Sequence, residues 1–274
     1  MKTKSLIYTI ALLSTAVMFT ACSTVPLTGR SQASLVSETE MQQAAGLQYK
    51  QFLSDPKIIV INNTTQSRKV KEIGNKIAAA VTKYMNNNNY QNNIAGYQWE
   101  FNLVDSKDIN AWCMPGGKVA VYTGILPVTL NDAGLATVMG HEIAHAIAHH
   151  SSERYSQAMI SQGVGALLGA AVAKSETGTQ VFQQLYGIGS QAGYLLPNSR
   201  KQESEADRLG LTFMAMAGYN PQAAVSFWER MAAQKKGQTP PEFLSTHPSD
   251  QTRIRDIEKY IPEAQKYFVK AKTF

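Results

Sequence analysis

Leu135-Ala136-Thr137-Val138-Met139-Gly140-His141-Glu142-Ile143-Ala144-His145-Ala146-Ile147 decides how the rest of this 274-residue chain is read. Leu135, Val138, Met139, Ile143, Ala146 and Ile147 recur at helical spacing, so the stretch reads as a buried amphipathic helix. Four residues is about one helical turn, which places His141 and His145 on one face, one above the other. Two imidazoles stacked in this way can grip a single metal ion from one rigid element. Glu142, rotated about 100° from His141, can reach a water held by that metal without being a ligand itself.

A second helix is expected from Arg200 to Ala217, with Ala206, Leu209, Gly210, Phe213 and Met214 along one side and Gly218-Tyr219-Asn220-Pro221 as its stop. Near its start, Glu203 and Asp207 share a face at i, i+4. One glutamate brought from a separate helix to a His-x-x-x-His pair completes a His₂Glu set that leaves a fourth position open for water. Taken alone, the acidic turn Glu203-Ser204-Glu205-Ala206-Asp207 would read as solvated surface; joined to the histidine pair it reads as part of a metal site.

Composition is that of a globular protein: 44% hydrophobic and 17% charged residues. The formal net charge of +6 falls to +4 once Lys2 and Lys4 are lost with a leader. The basic residues are dispersed without a dense cluster, which suits an anionic lipid surface and gives no reason to expect nucleic acid. Two cysteines, Cys22 and Cys113, make neither a disulfide framework nor a metal-binding pair. The glycines form no G-x-x-x-x-G-K phosphate loop and no strand-linked G-x-G-x-x-G.

Lys2 and Lys4 open a positive segment, and Leu6 to Phe19 is a short apolar run, so residues 1–21 read as a secretory signal and not a membrane span. Phe19-Thr20-Ala21-Cys22 resembles a bacterial lipobox, in which Cys22 is lipidated and becomes the mature N-terminus. An ordinary signal peptide cleaved nearby is the other reading. Ser23 after the cysteine favours the outer membrane by resemblance to sorting rules.

Residues 22–36 then read as a polar, lipid-anchored tether, and 37–274 as the folded domain. Ser37 and Glu40 make a capping box for a helix to about Ser54. Val70, Ile73, Ile77 and Val81 mark a helix from Thr65 to Tyr84, and the Asn-rich 86–93 a surface loop. Trp99 to Val104 alternates as a strand, Lys118 to Tyr122 is strand-like, and Pro115-Gly116-Gly117 is a turn or a close backbone approach. The Gly- and Ala-rich stretch 158–173 is too short to span a membrane and reads as a buried or lid-like helix, or as an interfacial contact. A helix is also expected around Gly187 to Gly193. His149 is either a further ligand or a packing residue.

With these residues in place the chain resembles the bacterial metallopeptidases related to HtpX, BepA and LoiP and the mitochondrial Oma-type protease, distant kin of the CAAX prenyl proteases. The resemblance rests on Val25-Pro26-Leu27-Thr28-Gly29-Arg30, Asn110-Ala111-Trp112 with Pro115-Gly116-Gly117, His141-Glu142-Ile143-Ala144-His145, Glu203-Ser204-Glu205-Ala206-Asp207 and Thr246-His247-Pro248, in order. It implies an α+β, mostly helical, zincin-like (gluzincin) fold with a small sheet beside the metal helix. It implies one Zn²⁺ on His141, His145 and Glu203, with Glu142 as general base. Asp207 is the family's proton donor in one reading; in the other, one turn from Glu203, it receives the free N–H of a ligand histidine. Asn110, Ala111, Gly116 and Gly117 would belong to a strand on which substrate is laid extended. His247 is either a plug over the water position or an oxyanion stabiliser. Unlike BepA, no helical-repeat segment is read before Phe274, so docking through such repeats is not expected.

The function implied is a zinc endopeptidase anchored in the outer membrane and facing the periplasm, acting on unfolded or misassembled envelope proteins. An assembly chaperone for outer-membrane proteins that rarely cuts is the second reading, and a structural zinc lipoprotein the third. Glu142 favours the enzyme, because a structural site has no use for it.

Overall fold

The computed structural model describes residues 22–161, 199–234, 243–244, 247 and 251–272. The leader at 1–21, residues 162–173 of the Gly- and Ala-rich stretch, the helix expected at 187–193, and Thr246 and Pro248 lie outside the described residues.

The first described residues depart from expectation. The stretch read as a polar tether folds into an antiparallel hairpin of Cys22–Thr24 (β1) and Ser31–Ala33 (β2), pairing Cys22 with Ala33 and Thr24 with Ser31. Val25 N–H donates to Arg30 O and Gly29 N–H to Val25 O, with Gly29 at φ +69°. Val25 is buried in the main core. A lone apolar residue has no period, which is why sequence pattern missed it.

Ser37 and Glu40 close the expected capping box on helix α1 (Glu38–Ser54). A second box, Thr64 with Ser67, starts α2 (Thr65–Asn87), three residues longer than expected. Between and after them lies a four-stranded sheet of β3 (Val60–Ile61), β4 (Glu100–Val104), β5 (Ala111–Met114) and β6 (Lys118–Tyr122). Its order is β3-β4-β6-β5; β4 and β6 are parallel and the other pairs antiparallel.

The sheet is covered on both faces. Val70, Ile73, Ile77 and Val81 of α2 pack with Phe101, Leu103, Val119 and Val121, while Met41, Ala45 and Tyr49 of α1 pack with Trp112, Met114 and Ala120. Tyr49 Oη donates to Val119 O at 2.8 Å and accepts from Asn102 Nδ2 at 3.0 Å. The alternation read in β4 therefore separates two buried faces, not core from solvent.

Asn131 caps α3 (Asp132–Ile147), the helix of the histidine pair, by accepting from Gly134 N–H. Every residue from Gly134 to Ile147 is buried, so this helix is enclosed on all sides instead of amphipathic. The chain continues as α4 (His150–Ser161), α5 (Arg200–Met216), α6 (Ala223–Ala233) and α7 (Gln251–Lys272). Helix α5 packs along both α3 and α7. Strand β5, at the sheet edge, lies beside α3. Among the described residues no helix is long and apolar enough to cross a membrane.

Candidate metal centre

Gly140 on α3 and Gly210 on α5 let the two helices meet at backbone distance. A Cβ on Gly140 would stand 2.8 Å from Gly210 O, and one on Gly210 would stand 2.8 Å from His141 N. This crossing brings Glu203, two turns before Gly210, against the histidine pair. His141 Nε2 lies 3.0 Å from His145 Nε2; Glu203 Oε1 lies 3.3 Å from His145 Nε2, and Glu203 Oε2 3.5 Å from His141 Nε2. His247 joins them, its Nδ1 2.8 Å from Glu203 Oε1 and 3.2 Å from His141 Nε2. All four residues are buried, with donor atoms within 4.8 Å of one another.

These separations suit a single small cation. Tetrahedral zinc with bonds of about 2.0–2.1 Å sets its donors about 3.3 Å apart, close to the spacings above. The chemistry agrees: two imidazoles, a carboxylate and a further imidazole are zinc donors. Burial drives His145 well below its usual pKa, against Glu203, and so keeps it the neutral base that a metal needs. Burial disfavours ionised Glu203 too, but His247, Arg253, His141 and His145 outweigh it and hold the carboxyl well below the usual range. Burial also opposes a charge on His141, yet Asp207 and Glu203 prevail and push it up to about 9, so a metal arriving there displaces a proton. Three buried carboxylates, Glu142, Glu203 and Asp207, face one buried arginine, and a doubly charged cation brings them toward balance.

That arginine, Arg253 of α7, is a residue that sequence reasoning missed. Its Nε and Nη2 donate to Asp207 at 2.8 Å each, its Nη1 lies 2.9 Å from Glu203 Oε2, and it stacks 3.5 Å over the Trp228 ring. Asp207 is spent on Arg253 and on His141 Nδ1, 3.0 Å away, which is the position of a group that fixes a ligand histidine from behind. Glu142 differs from all of these. Its Oε1 is buried without a hydrogen bond among the described residues and lies 3.4 Å from His247 Nε2. Burial pushes its carboxyl above the ordinary range, against the pull of His247 and His141.

The profile of peptidase family M48 matches residues 66–261, most of the chain and all of the metal cluster. The chain belongs to peptidase family M48. Among M48 relatives, the mitochondrial metalloendopeptidase OMA1 of Schizosaccharomyces pombe is 41% identical over 169 residues, 61% of this chain and 48% of that protein. OMA1 of Saccharomyces cerevisiae is 36% identical over 210 residues, 74% of this chain and 58% of that protein. The beta-barrel assembly-enhancing protease of Escherichia coli is 30% identical over 164 residues, 58% of this chain and 33% of that protein. The chain thus spans about half the length, or less, of these relatives. Family and donor set agree on zinc as the cofactor and on a gluzincin-type fold, α+β and mostly helical.

The remaining residues singled out in this M48 chain fall elsewhere. Asn110 is buried, its Oδ1 accepting from Ala111 N–H and its carbonyl from Tyr122 N–H at the head of edge strand β5. Gly116 and Gly117 form the β5–β6 turn at φ +79° and +83°, their carbonyls accepting from Gln98 and Glu100 N–H. Gly117 lies under Trp99, where a Cβ would come within 2.6 Å of the ring. These glycines build the sheet. His149 turns away from the cluster: its Nε2 lies 3.0 Å from Asn93 O and its Nδ1 3.3 Å from Glu38. His150, which no pattern marked, lies directly behind His145.

Proposed function

We propose that this chain is a zinc-dependent endopeptidase of the bacterial cell envelope that hydrolyses misfolded or misassembled envelope proteins. Glu142 carries the reading: a buried carboxylate oxygen without a hydrogen bond among the described residues, beside four candidate metal donors, serves no purpose in a structural site. A bound zinc supplies a Lewis acid and lowers the pKa of its water to about 7. Glu142 accepts a proton from the attacking water and returns it to the leaving amine. His247 either covers the water position at rest or donates to the carbonyl oxygen as charge develops there. Strand β5, paired on one side to β6 and buried, lies at the sheet edge among the described residues; an extended chain laid along its other side would select unfolded substrates.

Localisation follows from Cys22. It is exposed at the start of β1, at the end of the lipobox-like stretch. Lipidation there anchors the protein in the outer membrane facing the periplasm, since several acyl chains hold firmly where one binds marginally. Cys22→Ala then leaves the protein unlipidated and in the soluble fraction; tight membrane association of that variant defeats the anchor.

The test of the activity is digestion of a reduced, alkylated protein by the zinc-loaded chain beside Glu142→Gln. Cleavage by the first and none by the second, with zinc bound in both, is the expected outcome. Zinc without cleavage, persisting in His247→Ala, would point to the second reading, a chaperone for outer-membrane proteins.

A further inference from the structure

Glu205 points away from the donors, and what it meets connects the hairpin to the metal centre. Thr28 Oγ1 donates to Glu205 Oε1, and Arg30 Nε donates to Glu205 Oε2 at 2.7 Å. The other two nitrogens of Arg30 donate to Glu153 at 2.7 and 2.8 Å, so one guanidinium forks between two carboxylates. Glu205 Oε2 lies 3.0 Å from His150 Nε2, and His150 Nδ1 lies 2.8 Å from His145 Nδ1. His145 and His150 are both buried.

The protons in this chain of contacts have one consistent placement. With the Nε2 lone pair of His145 turned toward a metal, its proton is on Nδ1 and donates to His150 Nδ1. The proton of His150 is then on Nε2 and donates to the Glu205 carboxylate. Thr28 and Arg30 hold that carboxylate in place. His141 has its own support in Asp207 and Arg253, so the two ligand histidines are braced from opposite sides by different parts of the chain. Thr28 and Arg30 lie outside the span that the family profile matches. The hairpin has strands of only three residues, too little to be stable without docking.

We propose that the β1–β2 hairpin is a working part of the metal centre. Thr28 and Arg30 are positioning residues that act through Glu205 and His150 to fix the His145 ring on zinc. Removing partners of this kind typically costs about 10–100-fold in metal affinity. The proposal rests on the zinc reading of the cluster, and the experiment separates the two.

Zinc affinity of the full chain is measured by competition with a chromophoric chelator, beside the melting temperature of the metal-free protein. Arg30→Ala, Glu205→Gln and His150→Phe should each bind zinc about 10–100-fold more weakly. Arg30→Ala added to His150→Phe should cost nothing further, because the path is already cut. A hairpin that only packs predicts a lower melting temperature with unchanged zinc affinity, or losses that add in the double variant; either result overturns the proposal. Thr28→Val is the mild variant, nearly equal in shape, should Arg30→Ala fail to fold; wild-type zinc affinity there would overturn the proposal equally. A wild-type chain that binds no zinc defeats the zinc reading itself, whereas zinc bound equally by all variants defeats only the role of the hairpin.

Discussion

A Cβ placed on Gly210 would stand 2.8 Å from the backbone nitrogen of His141, so the two helices that carry the metal donors cross with no side chain between them. Glu203 reaches the histidine pair only because of that contact. Gly210→Ala inserts a methyl where backbone already sits. Overpacking of this kind costs about 1–3 kcal/mol, and separation of α3 from α5 should also weaken zinc binding. Melting of the metal-free chain and chelator competition together check it; a variant with wild-type values in both would show that the crossing tolerates a methyl.

Glu203 and Glu205 sit two residues apart on α5 and face in opposite directions. Glu203 lies 3.3 Å from His145 Nε2, while Glu205 meets Thr28, Arg30 and His150. Glu203→Gln should abolish stoichiometric zinc, a larger loss than the about 10–100-fold expected for a group behind a ligand. Glu205→Gln should keep one zinc per chain at reduced affinity. Metal analysis after dialysis distinguishes them, and the reverse order would remove Glu203 from the ligand set.

What the sequence made legible was local. The spacing of His141 and His145, the Ser37–Glu40 capping box and the four apolar residues of α2 each lie within a few turns, and each is found where expected. Of the contacts between distant segments, Glu203 beside the histidine pair was read from donor chemistry and His247 from resemblance, whereas those of His150 and Arg253 were not legible. His150 lies five residues after His145, a spacing that a continuous helix would send to another face. The chain breaks at His149, in the left-handed region at φ 54°, and returns His150 to the back of His145. Arg253 sits 46 residues from Asp207, with no pattern linking them. The Val25–Arg30 stretch gave a signal through resemblance, and it carried no role with it. His247 itself is buried, its N–H donating to Phe243 O at 2.8 Å and its ring lying 4.5 Å from that of Phe243.

The pairing of Arg30 with Glu153 should be visible in the pH dependence of stability. Burial disfavours ionised Glu153, but hydrogen bonds from Arg30 and Gln202 outweigh it and hold its carboxyl below the usual 4.5. A carboxyl lowered on folding stabilises the fold above its unfolded pKa, and the gain is lost as pH falls through the lower folded value. Glu153→Gln should therefore destabilise the metal-free chain by about 1.5–3 kcal/mol at pH 7, the range of hydrogen bonds to charged groups. The gap to wild type should close below pH 4.5. Denaturant melts at several pH values check this, and a gap that persists in acid would mean that Glu153 acts through shape and not charge.

The position of His247 bears on whether the protein rests open or closed. Its Nδ1 is set among the donors, 2.8 Å from Glu203 and 3.2 Å from His141, while its Nε2 lies 3.4 Å from Glu142 Oε1. Arg253 Nη1 donates to the His247 carbonyl at 3.2 Å, which ties the backbone of this residue to the group that also holds Asp207 and Glu203. If His141, His145 and Glu203 hold a zinc, the imidazole in this position would cover the place that a His₂Glu site leaves for water and would stand against the base as well. An attacking water and His247 would then compete for one position, and substrate would have to move the ring before Glu142 could accept a proton. If His247 is a plug, basal turnover is reduced by the fraction of time the position is open. For a site open about 1–10% of the time, His247→Ala should raise basal cleavage of an unfolded substrate about 10–100-fold. If its task is instead to donate to the developing oxyanion, the same change should lower turnover by about 10²–10³. The two readings differ in sign, so a single measurement of basal turnover on the zinc-loaded variant separates them, and a fall in rate would rule out the plug.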